Sequence, residues 1–341
     1  MKATTIVGHK NQRTLLERLF LKDRLPHALL FSGPGGIGKR QTAYELAAAI
    51  YCEKNSGANS SYKACGKCKN CMLFASDNIP DFKEIDCLER TNVNAENIRE
   101  LLYSLNLNSF FSGKRIVILN NAEFLPVQSA NILLKSLEEP RKDTHFILIS
   151  ANPYRLPQTL LSRCQIMHFN VLSPAEIDVI FNQNKNNLDL SEALKAFSGK
   201  DISLGEIAKY SQGSFENLTG LISNIDSWLE IRQAVANICA GDLSSAAQLS
   251  EKLSKDKDNL RNHLKILTAL VRTQMVNSKN NLDFERLAVS LTNLTLAERL
   301  IFERNLSASY VLNFILIGLA SRENSASFTA MDESVTMLAN C

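Results

Sequence analysis

The chain has 341 residues, 45% of them hydrophobic and 21% charged, with a formal net charge of +3. That is too long for one compact core, enough for two or three domains, and ordinary for a soluble globular protein. The near balance of charge argues against a protein dominated by a basic nucleic-acid arm, although it leaves room for a local basic face. The opening "MKATTIVGHKNQ" holds no apolar signal core, and the longest late apolar run, Tyr310 to Ala320, is too short to span a bilayer and reads as a buried helix. These features predict a cytoplasmic protein with no membrane partner.

The first half alternates apolar runs with amphipathic segments. Ala28 to Ser32 is a short apolar run ending at a glycine and reads as a buried strand, followed by a helix through "TAYELAAAIY". Phe82 to Asp86 is a weaker strand after a Pro-Asp turn. The spacing of Ile98, Leu101, Leu102 and Leu105 predicts a helix. Arg115 to Leu119 reads as a strand, "SANILLKSLEE" as a helix closed by Pro140, and His145 to Ser150 and Ile166 to Phe169 as two further strands. Such alternation implies crossover units and a parallel sheet covered on both faces. Beyond Asn170 the strand signals stop. Ser173, Pro174 and Glu176 mark a helix start with a capping box, and the remainder reads as helices, with a polar linker at "NQNKNNLDLS", a break near "SNIDSWLEIRQ" and a frayed tail.

The segment from Gly33 to Lys39, "GPGGIGK", follows a strand and opens a helix, as a phosphate-binding loop does. Gly33, Gly35, Gly36 and Gly38 would let backbone N–H groups cradle phosphate, with Lys39 on the outer phosphates. A hydroxyl should follow to hold magnesium, but the residue is Arg40. The neighbouring strand should end in acids, yet it ends in Asn120 and Asn121; Glu123, two residues on, reads as a solvated acid or a partial substitute. Both departures remove magnesium and water chemistry without removing the fold. A Gly-rich turn without ligand is the plainer alternative.

Cys52, Cys65, Cys68 and Cys71 fall within one twenty-residue window of a chain with no secretory signal. Four thiolates at these spacings predict a closed, structural zinc site, with a redox pair within Cys65 to Cys71 as the alternative. Lys63, Lys67 and Lys69 decorate that loop, either as a solvated face or as contacts to nucleic acid. Cys87, Cys239 and Cys341 read as lone structural cysteines.

Three stretches now converge. The segment around the loop, the four cysteines, and "SANILLKSLEEPRKDTHFILISANPYRLPQTLLSRCQIMHF" together resemble clamp-loader subunits of the AAA+ superfamily, and the delta-prime family of bacterial DNA polymerase III in particular, over about Ile6 to Phe169. The resemblance implies a RecA-like AAA+ domain at 1–171 with a zinc module inserted at about 52–71. A helical lid at 172–225, a helical collar at 226–325 and a tail at 326–341 would follow.

The resemblance implies a non-motor subunit of a clamp loader, part of a DNA-directed DNA polymerase holoenzyme and without ATPase activity of its own. Its partners would be motor subunits, a delta subunit, the sliding clamp and primed DNA. In this family the Ser-Arg-Cys motif, here Ser162-Arg163-Cys164, supplies an arginine finger in trans to ATP at a neighbour; read alone, Arg163 is a surface salt-bridge residue. A Gly-Ser-x-Arg nucleotide sensor of the motor members aligns with "QGSFENLTG", placing Glu216 where the arginine would stand, and Ser150 and Asn152 fall where the family has another polar sensor. Lys135, Glu138 and Glu139 are expected on exposed faces, contacting neighbours or DNA, or pairing within the chain. Zinc is the expected resident metal, ATP the ligand at neighbouring sites, and nucleotide without turnover the expected ligand of this chain's own loop. The alternatives are an ATP-hydrolysing motor of the same ring and a stand-alone zinc-containing DNA-binding AAA+ protein.

Overall fold

The computed structural model describes residues 6–55, 61–88, 93–105, 114–184, 197, 202–278, 280–302 and 304–321. The chain divides into two compact units, residues 1–180 and 181–341.

The first unit is built on five parallel strands: β1 (Ala28–Ser32), β2 (Phe82–Asp86), β3 (Arg115–Asn120), β4 (Thr144–Ser150) and β5 (Gln165–His168), in the order β2-β3-β4-β1-β5. Every residue of β1 is buried, as are the first five of β3. Their unbroken apolar runs follow from this, because a central parallel strand is covered on both faces and has no solvent side to alternate with. The edge strands β2 and β5 are more exposed, which is why Phe82 to Asp86 is the weaker signal in the sequence.

Helices cover the sheet. On one face, Leu30, Val117, Leu119, Phe146 and Leu148 share a core with Ile98 and Leu101 of α4 (Ala95–Ser104) and Leu133 and Leu137 of α5 (Val127–Glu138). Residues one step along each strand point the other way, where α2 (Lys39–Tyr51) packs Ala43, Leu46, Ala47 and Ile50. α1 (Lys10–Leu21) lies against α2, while α3 (Lys69–Ala75) and the short α6 (Gln158–Leu161) complete the unit. α7 (Pro174–Asn184) begins with the expected capping box: Ser173 N and Oγ both donate to Glu176 Oε2 at 2.8 Å, and Glu176 N donates back to Ser173 Oγ at 3.3 Å.

The described residues of the second unit contain helices and no strand. They run Leu204–Tyr210, Phe215–Ser223, Ile225–Cys239, Leu243–Lys255, Leu260–Asn277, Asn281–Phe302 and Ala308–Ala320. The break expected near Ser223 falls at Asn224, which separates two of these helices. Trp228, fully buried, packs against the edge of Tyr210 with ring centroids 5.2 Å apart. The apolar run Tyr310 to Ala320 forms a helix that buries Val311, Leu312, Ile315, Leu316 and Leu319. Among the described residues no helix is long and apolar enough to cross a membrane. Cys87 is buried, and the Cys239 thiol donates to Gln274 Oε1 at 2.9 Å. Cys341, the tail at 326–341 and most of the polar linker lie outside the described residues.

Candidate functional site

The loop between β1 and α2 is shaped by its glycines. Gly33 has φ +152°, and a Cβ there would stand 2.2 Å from the carbonyl oxygen of Phe169. Its N–H donates to Ser150 O at 3.2 Å, which ties the loop to the end of β4. Gly38, at φ +102°, occupies the N-cap of α2, where a left-handed backbone turns the chain into the helix. Gly33→Ala is therefore expected to cost the first unit about 2–4 kcal/mol, from backbone strain together with a clash against an immobile carbonyl. Urea denaturation of the variant measures this; an unchanged midpoint would refute it.

Lys39 is only 6% exposed, and its Nζ donates to Gly33 O and Pro34 O, each at 2.5 Å. The ammonium is folded onto the loop's own carbonyls. His9 also supports the loop. Its Nε2 lies 2.6 Å from Ile37 O, and its ring meets Phe169 edge-on with centroids 4.9 Å apart. No spacing rule links His9 to a loop 24 or more residues later, so sequence reading passes over it.

Arg40, which stands where a magnesium-binding hydroxyl belongs, turns away to β2. Its Nε and Nη2 donate to Glu84 Oε1 and Oε2 at 2.6 and 2.9 Å, and its guanidinium lies 5.5 Å from the Tyr44 ring centre. Tyr44 donates its hydroxyl to the same carboxylate. The bond to Glu84, against the cost of burial, holds the guanidinium pKa above its ordinary value; burial first, then Glu84, raises that of Tyr44. The charge at position 40 is thus neutralised beside the loop rather than aimed into it.

Asn120 and Asn121 are likewise engaged. Their side-chain amides donate to Asp86 Oδ2 at 3.1 Å and Oδ1 at 2.9 Å, while Leu88 N donates to Oδ1 at 3.0 Å. Burial pushes the Asp86 pKa up, but the donors Asn121, Leu88 and Asn120 outweigh it and leave it lowered. A carboxyl with a lowered folded pKa stabilises the fold above its unfolded value, about 3.9, and loses that contribution as pH falls through the folded value. Asp86→Ala is expected to cost about 1–2 kcal/mol at neutral pH by leaving two amides unpaired. The gap to the parent should narrow as pH falls below about 4. Parallel urea titrations at both pH values check the sign.

Glu123 differs from the solvated acid the sequence suggests. It is half-buried: Oε1 accepts from Ala151 N at 2.9 Å, and Oε2 is buried without a hydrogen-bond partner among the described residues. The cause is topological. β3 and β4 are neighbours, so the turn after β3 meets the turn after β4. Ser150, at the end of β4, is buried and its Oγ accepts from Asn152 N at 3.1 Å.

The four predicted metal ligands come together. The Sγ atoms of Cys52, Cys65, Cys68 and Cys71 all lie within 4.8 Å of one another, and those of Cys65 and Cys71 are 3.9 Å apart. A tetrahedral ion with bonds of about 2.3 Å needs sulfurs about 3.8 Å apart, so the set fits one ion. It does not fit a disulfide, and all four are free thiols. Cys65 N donates to Cys52 Sγ and Cys68 N to Cys65 Sγ, both at 3.3 Å, and Cys71 N to Cys68 Sγ at 3.4 Å. Such donors favour thiolate: the N–H groups of Lys67 and Cys68 pull the Cys65 pKa down to about 6, whereas burial pushes Cys71 up. Lys63, Lys67 and Lys69 are exposed around the site.

Arg163 lies just after α6. Its Nη1 donates to Thr159 O at 2.6 Å and to Ser162 Oγ at 3.3 Å, its Nη2 pairs with Glu138 of α5, and its Nε is buried without a hydrogen-bond partner among the described residues. Glu138 therefore takes the charge-pairing alternative, and Lys135 and Glu139 are exposed. Cys164 is buried, which pushes its thiol up to about 12.

Residues 8–173 match the family model described as DNA polymerase III, delta subunit. Over this stretch the chain belongs to the clamp-loader subunits of the AAA+ superfamily. It is 38% identical over 154 residues to DNA polymerase III subunit delta' of Pseudomonas aeruginosa, covering 45% of this chain and 46% of that one. It is 35% identical over 164 residues to subunit delta' of Bacillus subtilis, covering 48% of each. To subunit tau/gamma of Haemophilus influenzae it is 32% identical over 216 residues, covering 63% of this chain and 30% of that one. The chain thus spans half or less of the length of these relatives. Among solved structures, a gamma subunit-related protein of Thermotoga maritima aligns with a TM-score of 0.43 at 17% identity, covering 91% of this chain and 99% of that one.

In the second unit, Glu216 sits in the first turn of the helix Phe215–Ser223, whose N-cap Ser214 accepts from Asn217 N at 3.2 Å. An acid there complements the helix dipole, a local reason for its presence. Glu216 lines a cavity of about 830 Å³ with Tyr210, Gln212, Arg261, Lys265 and Glu298.

Proposed function

We propose that this clamp-loader subunit is a non-motor member of a DNA polymerase III loader, which completes a neighbour's ATP site with Arg163 and does not hydrolyse ATP itself. The observation that carries the reading is the fate of the two magnesium-holding positions. One is Arg40, bound to Glu84; the other is the Asn120–Asn121 pair, bound to Asp86. Neither position offers the hydroxyl or carboxylate that would hold magnesium well, nor a base for water, while the glycine loop and Lys39 keep the sequence of an anion site. Glu216 at the aligned sensor position adds a third departure. The matches to two bacterial delta' subunits support its place in the loader.

On this reading the chain carries a RecA-like domain at 1–171, a lid at 172–225 and a collar at 226–325. It works in the cytoplasm with motor subunits, a delta subunit, the clamp and primed DNA. Cys52, Cys65, Cys68 and Cys71 would hold zinc, which supplies structure and no open position for chemistry. Gly33, Gly35, Gly36, Gly38 and Lys39 would hold phosphate or nucleotide without turnover. A second reading, a hydrolysing motor, is favoured by the match to tau/gamma and by the intact Lys39.

The test is ATP turnover in a reconstituted loader with clamp and primed DNA, comparing Arg163→Ala with Lys39→Ala in this subunit. A large loss from the first and little from the second supports the non-motor reading. A large loss from Lys39→Ala, traced to this chain's own site, overturns it.

A further inference from the structure

We propose that Glu138 is a positioning residue for Arg163: the α5 carboxylate pre-orders the guanidinium that this subunit presents to a neighbour's ATP. The inference rests on the arginine-finger reading above and names the residue that makes the finger effective.

An arginine in a turn has many rotamers, and a finger that must be collected from all of them at each encounter is slow. Arg163 is held from several sides. Glu138 binds Nη2, Thr159 O accepts from Nη1 at 2.6 Å, Ser162 Oγ lies 3.3 Å from Nη1, and Nε is buried. The side chain nevertheless remains 31% exposed and Glu138 49% exposed, so the pair stands at the surface. Nη2 has a second N–H beyond the one given to Glu138, and the bond from Nη1 to Ser162 is long. A phosphate oxygen can therefore engage the outer end of the guanidinium while the carboxylate keeps its place.

The two partners come from rigid neighbours. Glu138 is the last residue of α5, anchored through Leu133 and Leu137 in the sheet core, and Leu160 of α6 joins the same core three residues before Arg163. A group mounted in this way keeps its geometry better than one on a free loop. The opposite device is a latch, in which Glu138 competes with phosphate for the arginine; it predicts the opposite sign.

The test is a double-mutant cycle in the loader reconstituted with clamp and primed DNA: Glu138→Ala, Glu138→Gln, Arg163→Ala and the double variant. Turnover number and KM for ATP are read together with assembly of the complex by analytical ultracentrifugation. Exposed ion pairs are weak, so Glu138→Ala should lower kcat about two- to fivefold, with KM and assembly unchanged and Glu138→Gln falling between. The double variant should equal Arg163→Ala alone. A silent or faster Glu138→Ala beside a strongly impaired Arg163→Ala overturns this inference and leaves the finger reading intact. A double variant slower than Arg163→Ala alone also overturns it, since Glu138 would then act apart from the arginine. A silent Arg163→Ala overturns both. If Glu138→Ala fails to assemble, the isosteric Glu138→Gln decides by the same criteria.

Discussion

Arg163→Ala in this subunit should slow single-turnover hydrolysis at the neighbouring subunit's ATP by about 10³-fold or more, with ATP binding there little changed. An arginine finger acts on charge that develops on the transferring phosphoryl group, so its loss appears in the chemical step rather than in ground-state binding. The comparison with Lys39→Ala matters because both residues are cationic and only one faces outward. Lys39 is buried on the carbonyls of Gly33 and Pro34, whereas Arg163 is one-third exposed on a surface turn. Arg163→Lys should rescue little, because an ammonium offers a point charge in place of a planar fork and cannot keep Glu138, Thr159 and a phosphate together. Rapid-quench measurement of the first turnover in loader bound to primed DNA separates these cases. Equal rates with and without the guanidinium would leave Arg163 a surface ion pair with Glu138 and nothing more.

How much of this was legible beforehand depends on sequence distance. The inner strands β1, β3 and β4 are plainest because central parallel strands are continuous apolar runs, and the capping box at Ser173 and Glu176 is visible because its partners lie three residues apart. The four cysteines announce themselves by spacing. What escapes are pairs joined by tertiary packing. Asp86 holds Asn120 and Asn121 from 34 and 35 residues away, Glu84 holds Arg40 across 44, and Glu138 meets Arg163 across 25. The first two follow from strand order and the third from the packing of α5 on α6, and one sequence shows which elements exist but not which are neighbours. The misreading of Glu123 as solvated has the same origin, since its partner Ala151 follows the adjacent strand.

These pairs also bear on why the residues around the glycine loop depart from a motor's pattern in a coordinated way. An unpaired arginine at position 40 would put a free cation beside the loop, and amides at 120 and 121 would leave donors unsatisfied at a strand end. Glu84 and Asp86, two residues apart on β2 and so on the same face of that strand, answer both needs. The departures are therefore built into the packing and are not simple losses of ligands.

Stripping the metal from the four-cysteine site should produce the largest structural effect of any single treatment. A chelator should release one zinc ion per chain and make four more thiols reactive, and α3 with its flanking loop should lose hydrogen-exchange protection. Structural zinc contributes about 10–16 kcal/mol in small zinc-finger peptides, where it is the whole of the fold. Here the sheet has its own core, so the loss should be local at first and then spread along specific contacts. Cys52 ends α2, the helix that opens at Lys39. Phe74 of α3 packs against Phe82 of β2 with ring centroids 4.9 Å apart and against Tyr51 and Tyr44 of α2 at 6.0 Å. Tyr44 in turn binds Glu84, the partner of Arg40. Loss of the ion should therefore lower the thermal midpoint of the first unit and loosen the Arg40 pair before the strands open. Cys71→Ser should reproduce this, because it removes a buried ligand and leaves three thiolates without a closed shell. A chelated protein with unchanged midpoint, unchanged thiol count and no zinc released would show that the four sulfurs meet for another reason.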